Sequence, residues 1–143
     1  MLKLDNKMLL TWSDIESLVD NLVEQINKLD KKPFYIYGIP RGGAIPGVWL
    51  SHKLGIKYQQ INSTQISKTA DLSHILIVDD ICDSGETIKK IKENFPKCQT
   101  ATLYYKEKAI DKPDIYGEIV GEEWLVFPWE NNEEIGNRDN TYE

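Results

Sequence analysis

A chain of 143 residues, 41% of them apolar and 28% charged, is long enough for one hydrophobic core and too short for two ordinary domains. Its formal net charge of −6 excludes broad, non-specific nucleic-acid binding, which needs many Lys and Arg contacts to phosphates. No apolar run approaches the length of a bilayer span, and the opening Met1-Leu2-Lys3-Leu4-Asp5-Asn6-Lys7 lacks a signal-peptide core. A cytoplasmic protein with neither membrane nor nucleic-acid partners is therefore expected. Cys82 and Cys98 are too few for a disulfide framework and lack metal-ligand spacing, so they read as reduced thiols.

Taken in order, the first element is a helix over Trp12–Leu29, opened by Ser13 and Glu16 at capping-box spacing. Ile15, Leu18, Val19, Leu22, Val23, Ile26 and Leu29 recur at intervals of three and four, which makes one packing stripe. A short strand, Phe34–Tyr37, leads into the loop Gly38-Ile39-Pro40-Arg41-Gly42-Gly43, and a second helix contains Pro46 in its first turn and closes at Gly55. Paired glycines let backbone amides approach an anion closely, and Arg41 adds a forked cation; the same glycines would also serve a plain turn that needs positive φ. Lys57–Ile61 reads as the next strand, and residues 62–73 are polar and aperiodic.

The run Ile75-Leu76-Ile77-Val78 has the unbroken apolar, β-branched character of a central strand covered on both faces. Asp79 and Asp80 follow at its carboxyl end, then the polar loop Asp83-Ser84-Gly85-Glu86-Thr87, then a helix marked by Ile88 and Ile91. The crevice beyond the carboxyl ends of parallel strands is where open α/β sheets bind ligands. Unpaired amides at the helix start, with the Ser84 and Thr87 hydroxyls, suit a phosphate. The two carboxylates suit the vicinal hydroxyls of a sugar or a hydrated Mg²⁺, and a ribose phosphate meets both demands. Because the chain is acidic, such an anion must be held by local amides, a few placed cations and the metal rather than by the global field.

Beyond this unit, Phe95-Pro96-Lys97 breaks the helix, Thr100–Tyr105 is a strand with Lys106 at its end, and Pro113–Val120 reads as an edge segment. Lys106 would be simply solvated in the absence of a ligand. Glu123-Trp124-Leu125-Val126-Phe127-Pro128-Trp129-Glu130 supplies aromatic planes that serve either as a cover for the sheet or as a stacking platform for a base. Residues 131–143 are polar and acidic and read as a loose tail after a single domain over 1–130. His52 and His74 have no evident partners in the sequence and are taken as structural.

Asp79, Asp80, Asp83, Ser84, Gly85 and Thr87 resemble the phosphoribosyl-pyrophosphate (PRPP) signature of type I phosphoribosyltransferases. Over roughly residues 10–130 the chain is similar to bacterial xanthine-guanine and hypoxanthine phosphoribosyltransferases. The resemblance implies a parallel, doubly wound α/β sheet of the type I phosphoribosyltransferase fold, with a small hood formed by the terminal segments. It implies transfer of a 5-phosphoribosyl group from PRPP to a 6-oxopurine, leaving a nucleoside monophosphate and pyrophosphate. By the resemblance, Ser84, Gly85, Glu86 and Thr87 hold the 5′-phosphate, and Asp79 and Asp80 hold the ribose hydroxyls. Asp80 also holds Mg²⁺, directly or through water, and Arg41 and Gly42 hold pyrophosphate. Asp83 assists proton movement near the purine, Lys106 binds the 6-oxo group, and Trp124 stacks on the base beside Leu125.

The matching loop of the family often contains a cis peptide, which here falls at the non-prolyl Pro40–Arg41 bond. One departure is the short 62–73 segment in the place of the family's catalytic loop, with Lys68 as its sole cation. Two other readings stand beside the enzyme: a PRPP- or nucleotide-binding regulatory protein with little turnover, and a pyrimidine-class transferase. A homodimer or homotetramer is the assembly that the family implies.

Overall fold

The computed structural model describes residues 1–60 and 72–130. The expected tail at 131–143 and nearly all of the expected catalytic-loop segment, Lys68 included, lie outside the described residues. The elements run β1 (Leu2–Leu4), β2 (Lys7–Leu9), α1 (Trp12–Asn27), β3 (Tyr35–Gly38), α2 (Ala44–Leu54), β4 (Lys57–Gln60), a 3₁₀ turn at Leu72–His74, β5 (Ile75–Cys82), α3 (Glu86–Asn94), β6 (Gln99–Lys106), β7 (Ile115–Val120) and β8 (Trp124–Val126).

Five strands form one sheet in the order β4-β3-β5-β6-β7, and every neighbouring pair is parallel. The expected α/β class follows from this, since parallel neighbours require crossovers: α2 carries the chain from β3 to β4 and α3 from β5 to β6, while a helix-free connector joins β6 to β7. β5 lies at the centre, and its side chains alternate between two apolar faces. Leu76 and Val78, both fully buried, join the core made with Ile15, Leu22 and Ile26 of α1 and Leu50 of α2. Ile75 and Ile77 point the other way, against Ile91, Phe95 and Cys98. A strand buried on both faces cannot show polar alternation, which is why its sequence is an unbroken apolar run.

The cap of α1 differs from the expected one. Thr11, extended at φ −101° and ψ 165°, accepts from the Asp14 amide at 3.1 Å, while the Asp14 carboxylate accepts from the Thr11 amide at 2.8 Å. The box is therefore Thr11 and Asp14 rather than Ser13 and Glu16, because Trp12 and Ser13 are already helical. The helix also stops at Asn27, short of Leu29, which still packs on the core. Gly55 closes α2 with φ at +67°, as its place after Leu54 predicts.

A second, three-stranded sheet forms the hood. β1 pairs antiparallel with β2, and β2 pairs parallel with β8, matching Met8 to Leu125. The Trp124 amide donates to the Asn6 carbonyl at 2.8 Å and the Leu10 amide to the Val126 carbonyl at 2.9 Å. The N-terminal ten residues and the segment Trp124–Val126 are thus stitched together beside the main sheet, with Met8, Leu125 and Phe127 buried in the core.

Candidate active site

Two strand-to-helix loops meet at the carboxyl ends of β3 and β5. Around them lies a cleft of about 520 Å³, lined by Ile39, Pro40, Arg41, Gly42 and Ile45 from one side, and by Asp79, Asp80, Ile81 and Thr87 from the other. Trp129 and Glu130, just after β8, complete the wall. Adjacent β3 and β5 are in register from Tyr35 opposite Ile75 to Gly38 opposite Val78; β3 leaves the sheet there, while β5 continues to Cys82 against β6. The glycine loop after β3 therefore lies beside the continuing stretch of β5 that carries the acidic pair.

The contact is tight. Asp80 folds its carboxylate onto Gly42: a Cβ on that glycine would sit 2.3 Å from one carboxylate oxygen and 2.5 Å from the carboxyl carbon. Asp79 and Asp80 each accept a hydrogen bond from the following amide, Asp80 N–H at 2.9 Å and Ile81 N–H at 2.8 Å. Burial and the neighbouring Asp80 charge push Asp79 well above its ordinary value of 3.8. The Pro40–Arg41 peptide is cis, at the bond where the resemblance places it.

Between Cys82 and α3 the chain turns through Asp83, Ser84 and Gly85. Asp83, Ser84, Glu86 and Thr87 are exposed, and Gly85 is buried at φ +88° as the cap of α3. Ser84 Oγ accepts from the Glu86 amide at 3.2 Å. Thr87, in the first turn of α3, lines the cleft, and the amides of a first turn have no acceptor within their own helix.

The residues expected at the base stand at the end of β6 and in β8. Lys106, half-buried at the end of β6, donates from Nζ to the Glu123 carbonyl at 2.7 Å, which ties it to the segment leading into Trp124. Trp124 is half-buried, and its buried indole N–H has no hydrogen-bond partner among the described residues. Leu125 is 2% exposed and its side chain belongs to the core. None of these three lines the cleft.

Trp129 does, and sequence reading did not single it out. Its ring stacks on Phe127 at 4.8 Å and 9° and lies 5.8 Å from Trp12. A turn over Phe127–Glu130, closed by the Glu130 amide on the Phe127 carbonyl at 3.0 Å, carries Trp129 to the rim. Pro128 at the second position of that turn was the available signal.

Asp79 supports a stability prediction. A carboxyl whose native pKa lies above its unfolded value stabilises the fold at low pH, and that contribution is lost as pH rises from the ordinary value of 3.8 through the raised one. Asp79→Asn removes the ionic penalty. The ligand-free variant is therefore expected to melt higher than the parent at pH 8, with the gain shrinking as pH falls toward 4. Melting scans across that range check it, and a variant that melts lower at pH 8 would contradict it.

Comparison with known proteins bears on the family and the fold. The phosphoribosyl transferase domain family matches residues 5–131. The chain belongs to that family. It is 27% identical to the xanthine-guanine phosphoribosyltransferase of Vibrio atlanticus, with 90% of this chain and 92% of the relative covered. A purine phosphoribosyltransferase from Pyrococcus horikoshii is 32% identical and superposes with a TM-score of 0.72 over 88% of this chain and 95% of its own. A hypothetical protein from Neisseria gonorrhoeae with bound ppGpp has a TM-score of 0.74 at 22% identity, covering 96% of this chain and 97% of that one. The phosphoribosyltransferase fold expected from the sequence is thus the fold observed.

Proposed function

We propose that the chain is a purine phosphoribosyltransferase of nucleotide salvage that transfers the 5-phosphoribosyl group of PRPP to a nitrogen of guanine, xanthine or hypoxanthine. The observation that carries this reading is the junction of the two loops, where the Asp80 carboxylate lies against Gly42 with Arg41 and Thr87 lining the same cleft. A ligand with a phosphate at one end, vicinal hydroxyls in the middle and a pyrophosphate at the other end fits that sequence of donors and acceptors. Ser84, Gly85, Glu86 and Thr87 receive the 5′-phosphate, Asp79 and Asp80 the ribose hydroxyls, and Arg41 and the Gly42 amide the pyrophosphate. The bond from C1′ to the pyrophosphate oxygen breaks as the bond from C1′ to the purine nitrogen forms. Arg41 and backbone donors stabilise the departing charge.

The site suits Mg²⁺. Two adjacent carboxylates, one of them held high in pKa by burial and by the charge of the other, form an oxygen donor set that a cation would relieve. Among the described residues no cluster of three metal-ligating side chains occurs, which fits an ion that takes one or two carboxylates and completes its shell with water and substrate oxygens. When bound, the metal supplies neutralisation of the pyrophosphate. Asp80, directly or through water, is the residue assigned to it.

Asp83, in the exposed turn before α3, is assigned to assist the proton that leaves the purine. Lys106 selects a 6-oxo over a 6-amino group because an ammonium only donates hydrogen bonds. Trp124 and the Leu125 backbone receive the base from the hood. A cytoplasmic setting fits a chain in which no described helix is long and apolar enough to cross a membrane and both cysteines are buried free thiols. A homodimer or homotetramer fits α2, whose outer side carries an apolar groove of Ala44, Ile45, Val48 and Trp49.

The test is pyrophosphate release from PRPP and Mg²⁺ with single bases. Release with guanine, xanthine or hypoxanthine and none with adenine or uracil is expected; release with uracil alone would replace this reading by the pyrimidine class. A second reading, a nucleotide-binding protein with little turnover, is favoured by the ppGpp held in the Neisseria structure. Tight nucleotide binding without release for any base would establish it.

A further inference from the structure

The phosphate loop is braced from behind by a segment that plays no part in the site described above. Gly85 lies directly beneath the connector between β6 and β7: a Cβ there would come 2.6 Å from the Asp111 amide nitrogen, 2.9 Å from that of Ile110 and 3.0 Å from the Asp111 carbonyl oxygen. The Ile110 amide donates to the Ser84 carbonyl at 2.8 Å, and the Cys82 thiol donates to the Asp111 carbonyl at 3.3 Å. Residues on both sides of Asp83 are therefore bonded to the same short strap. Only a glycine leaves room for it, and the positive φ that Gly85 adopts suits no other residue as well.

The strap is locked in turn from α3. Lys92 donates from Nζ to the Asp111 carboxylate at 3.1 Å and to the Lys112 carbonyl, and the same carboxylate oxygen accepts the Lys112 amide at 2.8 Å. Lys92 and Asp111 are each about one-third exposed, at 35% and 30%, so water screens the pair only in part. A closed circuit results. The loop runs into α3, α3 carries Lys92, Lys92 holds Asp111, and the strap around Asp111 returns to Ser84 and Gly85.

We propose that Asp111, fixed by Lys92, is a positioning residue that holds the phosphate loop in its ligand-ready shape. The proposal rests on the functional reading given above. A loop that must present several amides to one phosphate loses affinity if its unliganded form relaxes, because the ordering must then be repeated on binding. Asp111 does not line the cleft and meets the phosphate loop through its backbone against Gly85, so its effect is specific to one end of the ligand. Pyrophosphate binds on the glycine loop after β3, which the strap does not touch.

Calorimetry on the full chain with Mg²⁺ separates the two ends, using ribose 5-phosphate and pyrophosphate as probes. Asp111→Asn is expected to weaken ribose 5-phosphate about tenfold, the loss of one charge-assisted hydrogen bond and the order it imposes, and to leave pyrophosphate within about twofold. KM for PRPP should rise with kcat little changed. Lys92→Met, which keeps Asp111, should do the same, and the double variant should be no weaker than either single one, since the pair acts as a unit. Unchanged ribose 5-phosphate affinity in both single variants, or a parallel loss of both probes, overturns the proposal. A parent chain that binds neither probe overturns the functional reading instead.

Discussion

Asp83→Asn is expected to lower kcat by about 10²-fold to 10⁴-fold, the usual contribution of a positioned acid or base, while the protein melts where the parent does. Asp83 is exposed between the end of β5 and the cap of α3, so its carboxylate supports no core contact and the isosteric amide leaves the loop its shape. PRPP affinity should stay close to the parent's, because the groups assigned to phosphate, ribose and pyrophosphate are untouched. Steady-state kinetics with guanine or hypoxanthine alongside a melting scan decide the matter. Turnover equal to that of the parent would remove Asp83 from the mechanism.

Gly43→Ala should have the largest effect on the fold of the site. A Cβ at this position would lie 2.2 Å from the Val78 carbonyl oxygen, 2.8 Å from the Ile39 carbonyl oxygen and 2.9 Å from the Ile39 nitrogen. All three are backbone atoms already committed. The Ile39 amide donates to Val78 at 2.9 Å and the Gly43 amide to Ile39 at 2.7 Å, so neither strand end can yield without breaking the turn that presents Arg41 and Gly42. A cost of about 3 kcal/mol, in the upper range for overpacking, corresponds to a fall of roughly 10 °C in Tm, with pyrophosphate binding lost alongside. Gly55→Ala makes the control. Nothing lies within 4 Å of its Cβ, only its φ of +67° opposes the substitution, and a loss of about 1 kcal/mol without loss of ligand binding is expected. Equal melting of Gly43→Ala and the parent would mean that the loop accommodates a methyl group, contrary to the packing described.

The central unit was legible because its local rules all agree. The apolar run at Ile75–Val78, the acidic pair and the polar loop into α3 each point to a buried parallel strand ending in a ligand site, and they occupy adjacent positions. The glycine loop was legible as a turn suited to an anion, while the cis bond at Pro40–Arg41 was implied by the family resemblance and not by local rules. What escaped depends on contacts distant in sequence. β1, β2 and β8 are three residues each, too short for periodicity to register, and they exist because the Asn6 and Leu10 segment pairs with Trp124–Val126. Trp129 reached the cleft through a turn that the aromatic cluster in the sequence masked, and the strap at Asp111 is bound by Lys92, 19 residues away. The Thr11 cap was missed because Ser13 and Glu16 offer the same spacing two residues later, and only the backbone conformation distinguishes the two boxes.

The most direct measurement is a calorimetric titration of the full chain with PRPP in the presence of Mg²⁺, repeated with Asp79→Asn/Asp80→Asn. Saturable heat with one site per chain, abolished or strongly weakened in the double variant, is the predicted result. Equal heats from parent and variant, or no heat from the parent, would show that the paired carboxylates and the loops beside them do not hold an activated pentose.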